Sequence, residues 1–313
     1  MKVIYATVVY DCPFFDLFLK EYINTIEKQD HNNFTLLIVN DDLSGFRLSA
    51  ELSKYSFECD VEIVQTEGGF SPSKLRELLI RKACEMDGEV LIFSDFDETV
   101  TENRVSSVVN QIGDYEFAFN DFYLVDFKNR LLSENSCYST RDIPKVLSNV
   151  QNLFHRNFCG LGSSTINLTK LDYSKFLVPD NVIAFDWFLF TWILLKGGKG
   201  IQIKNTFAYY RQYNNSLVGF DFRLDEKKLF QGLRVKKTHY EYFSQIHSSQ
   251  QNQYRKYLND IKSVEKYVAD PKRRSNYITA VNTFFDTQKF TWWENIKLLE
   301  QLENKNAKFQ ELD

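Results

Sequence analysis

The chain has 313 residues, long enough for one large domain or two moderate ones, and a net charge of −4 that gives no electrostatic case for nucleic acid. Its cysteines (Cys12, Cys59, Cys84, Cys137 and Cys159) are odd in number and lack CxxC spacing, which argues against a disulfide framework or a zinc site and suits a reducing cytoplasm. The apolar part of MKVIYATVVYD is too short for a secretory signal, and no apolar run approaches the ~20 residues that cross a bilayer, so a soluble intracellular protein is expected.

Residues 3–9 are a short β-branched run ended by Asp11-Cys12-Pro13, which predicts a buried strand and a loop. Leu17, Phe18, Tyr22 and Ile26 recur at helical spacing, so 15–26 reads as an amphipathic helix. A second strand follows at 34–42, ending in two aspartates, then a helix at 46–55, a strand at 59–66, a helix at 73–86 and a fourth strand at 89–94. Four rounds of alternation predict an α/β fold with a doubly wound, mostly parallel sheet flanked by helices.

The rhythm then changes. Residues 116–127 predict one long strand, 128–141 a polar connection, and 146–154 a helix. FCGLGSSTINLTKL is a Gly/Ser-rich loop leading into a short strand. FDWFLFTWILLKGGKG predicts a buried helix stopped by Gly197-Gly198, and IQIKNTFAYYRQY a last strand. From 221 onward the pattern is helical, so a boundary near Gly219 separates a 1–219 domain from a 220–313 helical extension. Phe290, Trp292 and Trp293 open a predicted helix (FTWWENIKLL) whose aromatics suit core packing, a homodimer contact or a peripheral membrane contact. His239 and His247 have no metal spacing and read as structural.

The chemistry concentrates in SDFDE, at the carboxyl end of the fourth strand, the edge where open α/β sheets bind ligands. Asp95 and Asp97, two apart on an extended chain, would point the same way and converge on one ligand. Three readings compete. Asp95 could be a phosphatase nucleophile with Asp97 as acid and base; the pair could hold a metal and a diphosphate; or both could be solvated caps of the helix beginning near Thr101.

DFDETV resembles the nucleophile motif of haloacid-dehalogenase-type phosphatases, but those carry it on the first strand of their core, with further βα units after it. The order strand, Asp-Asp strand, strand, long helix, Asp-x-Asp strand is instead similar to family 2 glycosyltransferases of GT-A fold, over residues 3–219. VIYATVVYD resembles that family's opening strand, LLIVNDDLSG its second-strand Asp motif, SDFDE its Asp-x-Asp, and YRQYNNSLVG its YRxHxxNxxG segment.

The resemblance implies a nucleoside-diphosphate sugar donor and a Mg or Mn cofactor. The base would lie near Thr7, Val9, Asp41 and Asp42, a carboxylate there accepting from base N–H or ribose O–H groups. Asp97 would anchor the cation and Asp95 would contact ribose or metal-bound water, since hard divalent ions take oxygen ligands from one or two carboxylates plus phosphates. Lys74 or Arg76 would supply positive charge near the nucleotide, and Arg211 would bind diphosphate. Asp186 would be the catalytic base, with Phe185 standing where an acidic residue is common and Tyr213 where histidine is common.

The activity implied is inverting sugar transfer to a glycan, lipid-linked or protein-linked hydroxyl, in bacterial surface polysaccharide synthesis, at the inner face of the cell membrane. The altered positions 185 and 213 also leave open a non-catalytic glycan- or partner-binding protein on the same fold.

Overall fold

The computed structural model describes residues 1–41, 43–139, 141–212, 223–284, 293 and 295–304. Two compact units form: Met1–Gln151 with Phe158–Asp180 and Phe185–Tyr213, and a second of Asn152–Asn157, Asn181–Ala184 and Asn214–Asp313. The division expected near Gly219 lies outside the described residues.

The first unit opens with β1 (Val3–Tyr10), α1 (Phe15–Glu27), β2 (Thr35–Asp41), α2 (Gly45–Leu52), β3 (Asp60–Gln65), α3 (Pro72–Glu85) and β4 (Val90–Phe93). The helices start for local reasons. In α3 the Ser71 hydroxyl accepts from the Lys74 N–H, and Pro72 sits in the first turn, where its missing donor costs nothing. In α1, Phe15, Phe18, Leu19, Tyr22, Ile23 and Ile26 form one buried stripe.

β5 (Thr99–Val100), α4 (Arg104–Gln111), β6 (Phe117–Val125), β7 (Val146–Leu147), β8 (Ser164–Asn167), α5 (Phe185–Leu195) and β9 (Gly200–Arg211) complete the unit. The sheet runs β3-β2-β1-β4-β8-β6-β9-β5, with β7 also on β9. The strands β3, β2, β1 and β4 are parallel, as are β6 and β9; β8 is antiparallel to both its neighbours, and β5 and β7 are antiparallel to β9. The expected mostly parallel sheet flanked by helices is present. An antiparallel strand beside β4 is not the parallel series a dehalogenase-type phosphatase continues after its motif.

One sheet face buries Val3, Tyr5, Val9, Leu36, Ile38, Val90 and Ile92 against the apolar stripes of α1, α2 and α4. On α5 nearly every side chain is apolar, and eight of its eleven residues are buried, so it has no solvent face to orient it. Phe190 meets Phe117 of β6 with ring centroids 4.9 Å apart, and Gly197 ends the helix region at φ 87.

The helix expected over 146–154 is instead the two-residue β7 and a 3-10 turn, Val150–Leu153. Pairing with β9 satisfies its backbone more fully than one isolated turn could.

The second unit holds α6 (Glu226–Phe243), α7 (Gln251–Tyr267), α8 (Pro271–Phe284) and α9 (Leu299–Glu303). His239 is buried beside Phe243, Tyr240 and Tyr254, and burial pushes its pKa well below the ordinary value, as befits a structural residue. Phe290 and Trp292 lie outside the described residues; Ile296–Leu298 is not helical, and α9 begins only at Leu299. Among the described residues no helix is long and apolar enough to cross a membrane.

Candidate active site

Beyond β4 the chain does not continue as a strand. Glu98 donates its N–H to the Asp95 carbonyl at 3.0 Å, so SDFDE is a tight turn. Phe96 sets its orientation. Its ring is 1% exposed and lies 4.8 Å from Tyr10, 6.3 Å from Phe15 and 6.2 Å from Phe18, centroid to centroid. With Phe96 sunk in the core beneath α1, Asp95 and Asp97 on either side remain half-buried. The pair therefore stays accessible, but through a turn held by a ring rather than through strand alternation.

Asp95 is paired. The Arg76 guanidinium on α3 donates to its Oδ1 at 3.1 Å, with about a quarter of each side chain exposed. Burial alone would lower the Arg76 pKa, but Asp95, Asp186 and Tyr10 together hold it above its ordinary value. A single cation thus senses carboxylates nearly a hundred positions apart in sequence. Asp186 sits in the first turn of α5, where its Oδ1 accepts from the Trp187 N–H at 2.8 Å and favours the helix start. Tyr10, 38% exposed at the carboxyl end of β1, borders the same cation.

Glu98 is a third carboxyl, and it is buried. Burial and then the charges of Asp95 and Asp97 push its pKa well above the ordinary range, against the opposing pull of Arg76 and Arg211. Gly162 comes so close that a Cβ there would collide with the Glu98 carboxyl and touch Asp95. With glycine there, the loop before β8 approaches these acids without displacing the Glu98 carboxyl.

Arg211 takes a different place from the expected one. At 2% exposure, its Nε donates to the Asp97 carbonyl at 2.7 Å, its Nη1 to the Phe127 carbonyl at 2.6 Å, and its Nη2 to Glu21. The guanidinium also lies over the Phe18 ring at 5.0 Å. A fork committed in this way positions the Asp97 backbone and is not presented to a diphosphate. Replacing Arg211 by methionine is expected to remove about 2–4 kcal/mol of stability, the cost of leaving two carbonyls and the partly exposed Glu21 carboxylate without their donor. A shifted denaturant midpoint would show this; an unchanged midpoint with lost nucleotide affinity would restore the diphosphate role.

The other expected contacts divide. Thr7 and Val9 are both 0% exposed and share the β1 face that packs on α1, so neither side chain can reach a base. The alternation of the strand gives the more open positions to Val8 and Tyr10. Asp41 is half-buried at the end of β2, accepting from the Thr66 hydroxyl at 3.1 Å. Asp42 and Tyr213 lie outside the described residues. Lys74 faces Glu77 at 3.1 Å and Asp180 at 3.6 Å, so Arg76 and not Lys74 carries positive charge to the acidic turn. Tyr10, Glu98 and Gly162 were missed; of these, only the strand-end position of Tyr10 was a usable signal in the sequence.

Among the described residues no group of three or more His, Cys, Asp or Glu side chains is arranged to hold a metal by itself. Two half-exposed carboxylates beside a third are, however, an all-oxygen donor set, and this suits Mg or Mn, which keep waters and complete their shell with phosphates.

The sheet order is that of a GT-A-like fold. Solved structures of this kind superpose on nearly the whole chain. S. aureus TarS 1-349 in complex with UDP-GlcNAc matches at TM-score 0.56 and 13% identity, covering 100% of this chain and 88% of that one. Mannosyltransferase PcManGT from Pyrobaculum calidifontis, in complex with GDP-Man and Mn2+, matches at TM-score 0.56 and 11% identity, covering 98% and 86%. GalNAc-T7 with UDP, GalNAc and Mn2+ matches at TM-score 0.52 and 12% identity, covering 98% and 56%. No protein-family model and no curated protein matches the sequence.

Proposed function

We propose that the chain is a metal-dependent, inverting glycosyltransferase that uses a nucleoside-diphosphate sugar. The observation that carries this reading is Arg76, which pairs with Asp95 after β4 and whose pKa is also raised by the charge of Asp186 on α5. A phosphatase nucleophile gains nothing from a base on a distant helix, whereas a transferase needs both a diphosphate site and a base for the acceptor. Solved structures of the same fold with UDP-GlcNAc, or with GDP-Man and Mn2+, add to its support.

The division of labour follows from the residues. Tyr10 and Asp41 line the end of the sheet where a base and ribose would lie, and Arg76 offers charge to the diphosphate. Asp97 and Asp95 would hold Mg or Mn, which when bound neutralises charge on the departing diphosphate. Asp186 takes the proton from the acceptor hydroxyl as its oxygen bonds to the anomeric carbon. The bond from that carbon to the diphosphate oxygen breaks on the opposite side, which inverts the configuration. The acceptor is a glycan, lipid-linked or protein-linked hydroxyl, and the setting is bacterial surface polysaccharide synthesis at the cytoplasmic face of the membrane.

Thermal denaturation with UDP, GDP and dTDP, each with and without Mn, tests the reading directly. At least one diphosphate should raise the transition temperature, and more so with Mn, because a ligand of the native state stabilises it. No shift with any of them would favour a binding protein on this fold.

A further inference from the structure

α7 gathers four surface cations on one face. Several surface cations on other helices lie within one helical turn of a carboxylate that pairs them: Lys54 with Glu51, Lys74 with Glu77, Arg81 and Lys82 with Glu85, Lys228 with Asp225. On α7, Tyr254, Ile261 and Val264 face inward. The helical period then puts Arg255, Lys256, Asn259, Lys262, Ser263 and Lys266 together on the opposite side, and all six are exposed. No carboxylate shares that face. Glu265 is bound by Lys237 of α6 at 2.8 Å, and Asp260 sits on a flank, where it feels Lys256 only at range. None of Arg255, Lys256, Lys262 and Lys266 forms an ion pair among the described residues.

We propose that this face of α7 docks on an anionic lipid bilayer. The charge is uncompensated in a chain that is acidic as a whole, so it calls for an external anion. The form of the face selects which kind. It is the convex side of one 17-residue helix, with only Arg, Lys, Asn and Ser on it. A single-stranded polyanion is held by a groove with stacking rings, and this face offers neither. A plane of lipid head groups meets the whole stripe at once. Having no apolar side chain to insert, the face adsorbs reversibly and is sensitive to salt. The inference does not depend on the transferase reading, and its test uses neither donor nor acceptor.

Co-sedimentation with phosphatidylcholine vesicles, with and without phosphatidylglycerol, measures it. The full chain should bind the anionic vesicles at low salt, leave the neutral ones in solution, and dissociate as salt is added. Each cation near the surface contributes roughly fivefold, so Arg255→Gln, Lys256→Gln, Lys262→Gln and Lys266→Gln combined should weaken binding by about 10²-fold or more. Lys262→Gln with Lys266→Gln alone should give about 25-fold, which keeps the test usable if the fourfold variant fails to fold. Equal binding by variant and native chains, or no binding to anionic vesicles, overturns the proposal. Binding to soluble polyphosphate but not to vesicles also overturns it, since the partner would then be a polymer in solution.

Discussion

An Asp97→Asn protein should fold normally and transfer no measurable sugar. The substitution is nearly isosteric on a half-buried residue, and Phe96, which holds the turn in place, is untouched. What changes is charge: an amide is a poor ligand for a hard cation. Loss of a preorganised electrostatic contact to a leaving group typically costs 10²–10³-fold, and loss of the whole cation costs more, so a fall of at least ~10³-fold is expected. Donor turnover with saturating Mn, next to a thermal melt of the same protein, gives the answer. If more than a tenth of the native rate survives with an unchanged melt, Asp97 is not the anchor.

Asp186→Asn should separate binding from chemistry. Asparagine keeps an oxygen that can accept from the Trp187 N–H, so the start of α5 is preserved. It cannot accept a proton from the acceptor hydroxyl. A positioned base contributes typically ~10²–10⁴-fold, so transfer should fall by that factor while donor affinity changes only a fewfold. Titration calorimetry with the donor nucleotide and a single-turnover transfer assay distinguish the two effects. Near-native transfer would move the base elsewhere; donor affinity lost in parallel would make Asp186 part of the diphosphate site, acting through Arg76.

The first four strands and three helices were legible because each is set by its own stretch of sequence: a β-branched run, an apolar stripe, a cap such as Ser71-Pro72. What the sequence hid depends on partners far away. The two-residue strands β5 and β7 exist only because β9 lies beside them. The resemblance puts Thr7 and Val9 beside the base, but strand parity turns both toward α1. Lys74 and Arg76, two apart on a helix, cannot face the same way, and only packing decides which meets the acids. An arginine near phosphate-binding motifs invites a ligand role; that Arg211 holds a carbonyl instead becomes visible only when α1 and β9 are seen together.

That tether has a consequence for biosynthesis. Arg211 lies 114 positions after Asp97, at the end of a strand that slots between β6 and β5. The early βα units can condense while the chain is still emerging from the ribosome, but the loop bearing Asp97 gains its last anchor only after Arg211 has left the exit tunnel. A chain ended before Arg211 would keep the Phe96 anchor of the turn but lack the bond to the Asp97 carbonyl.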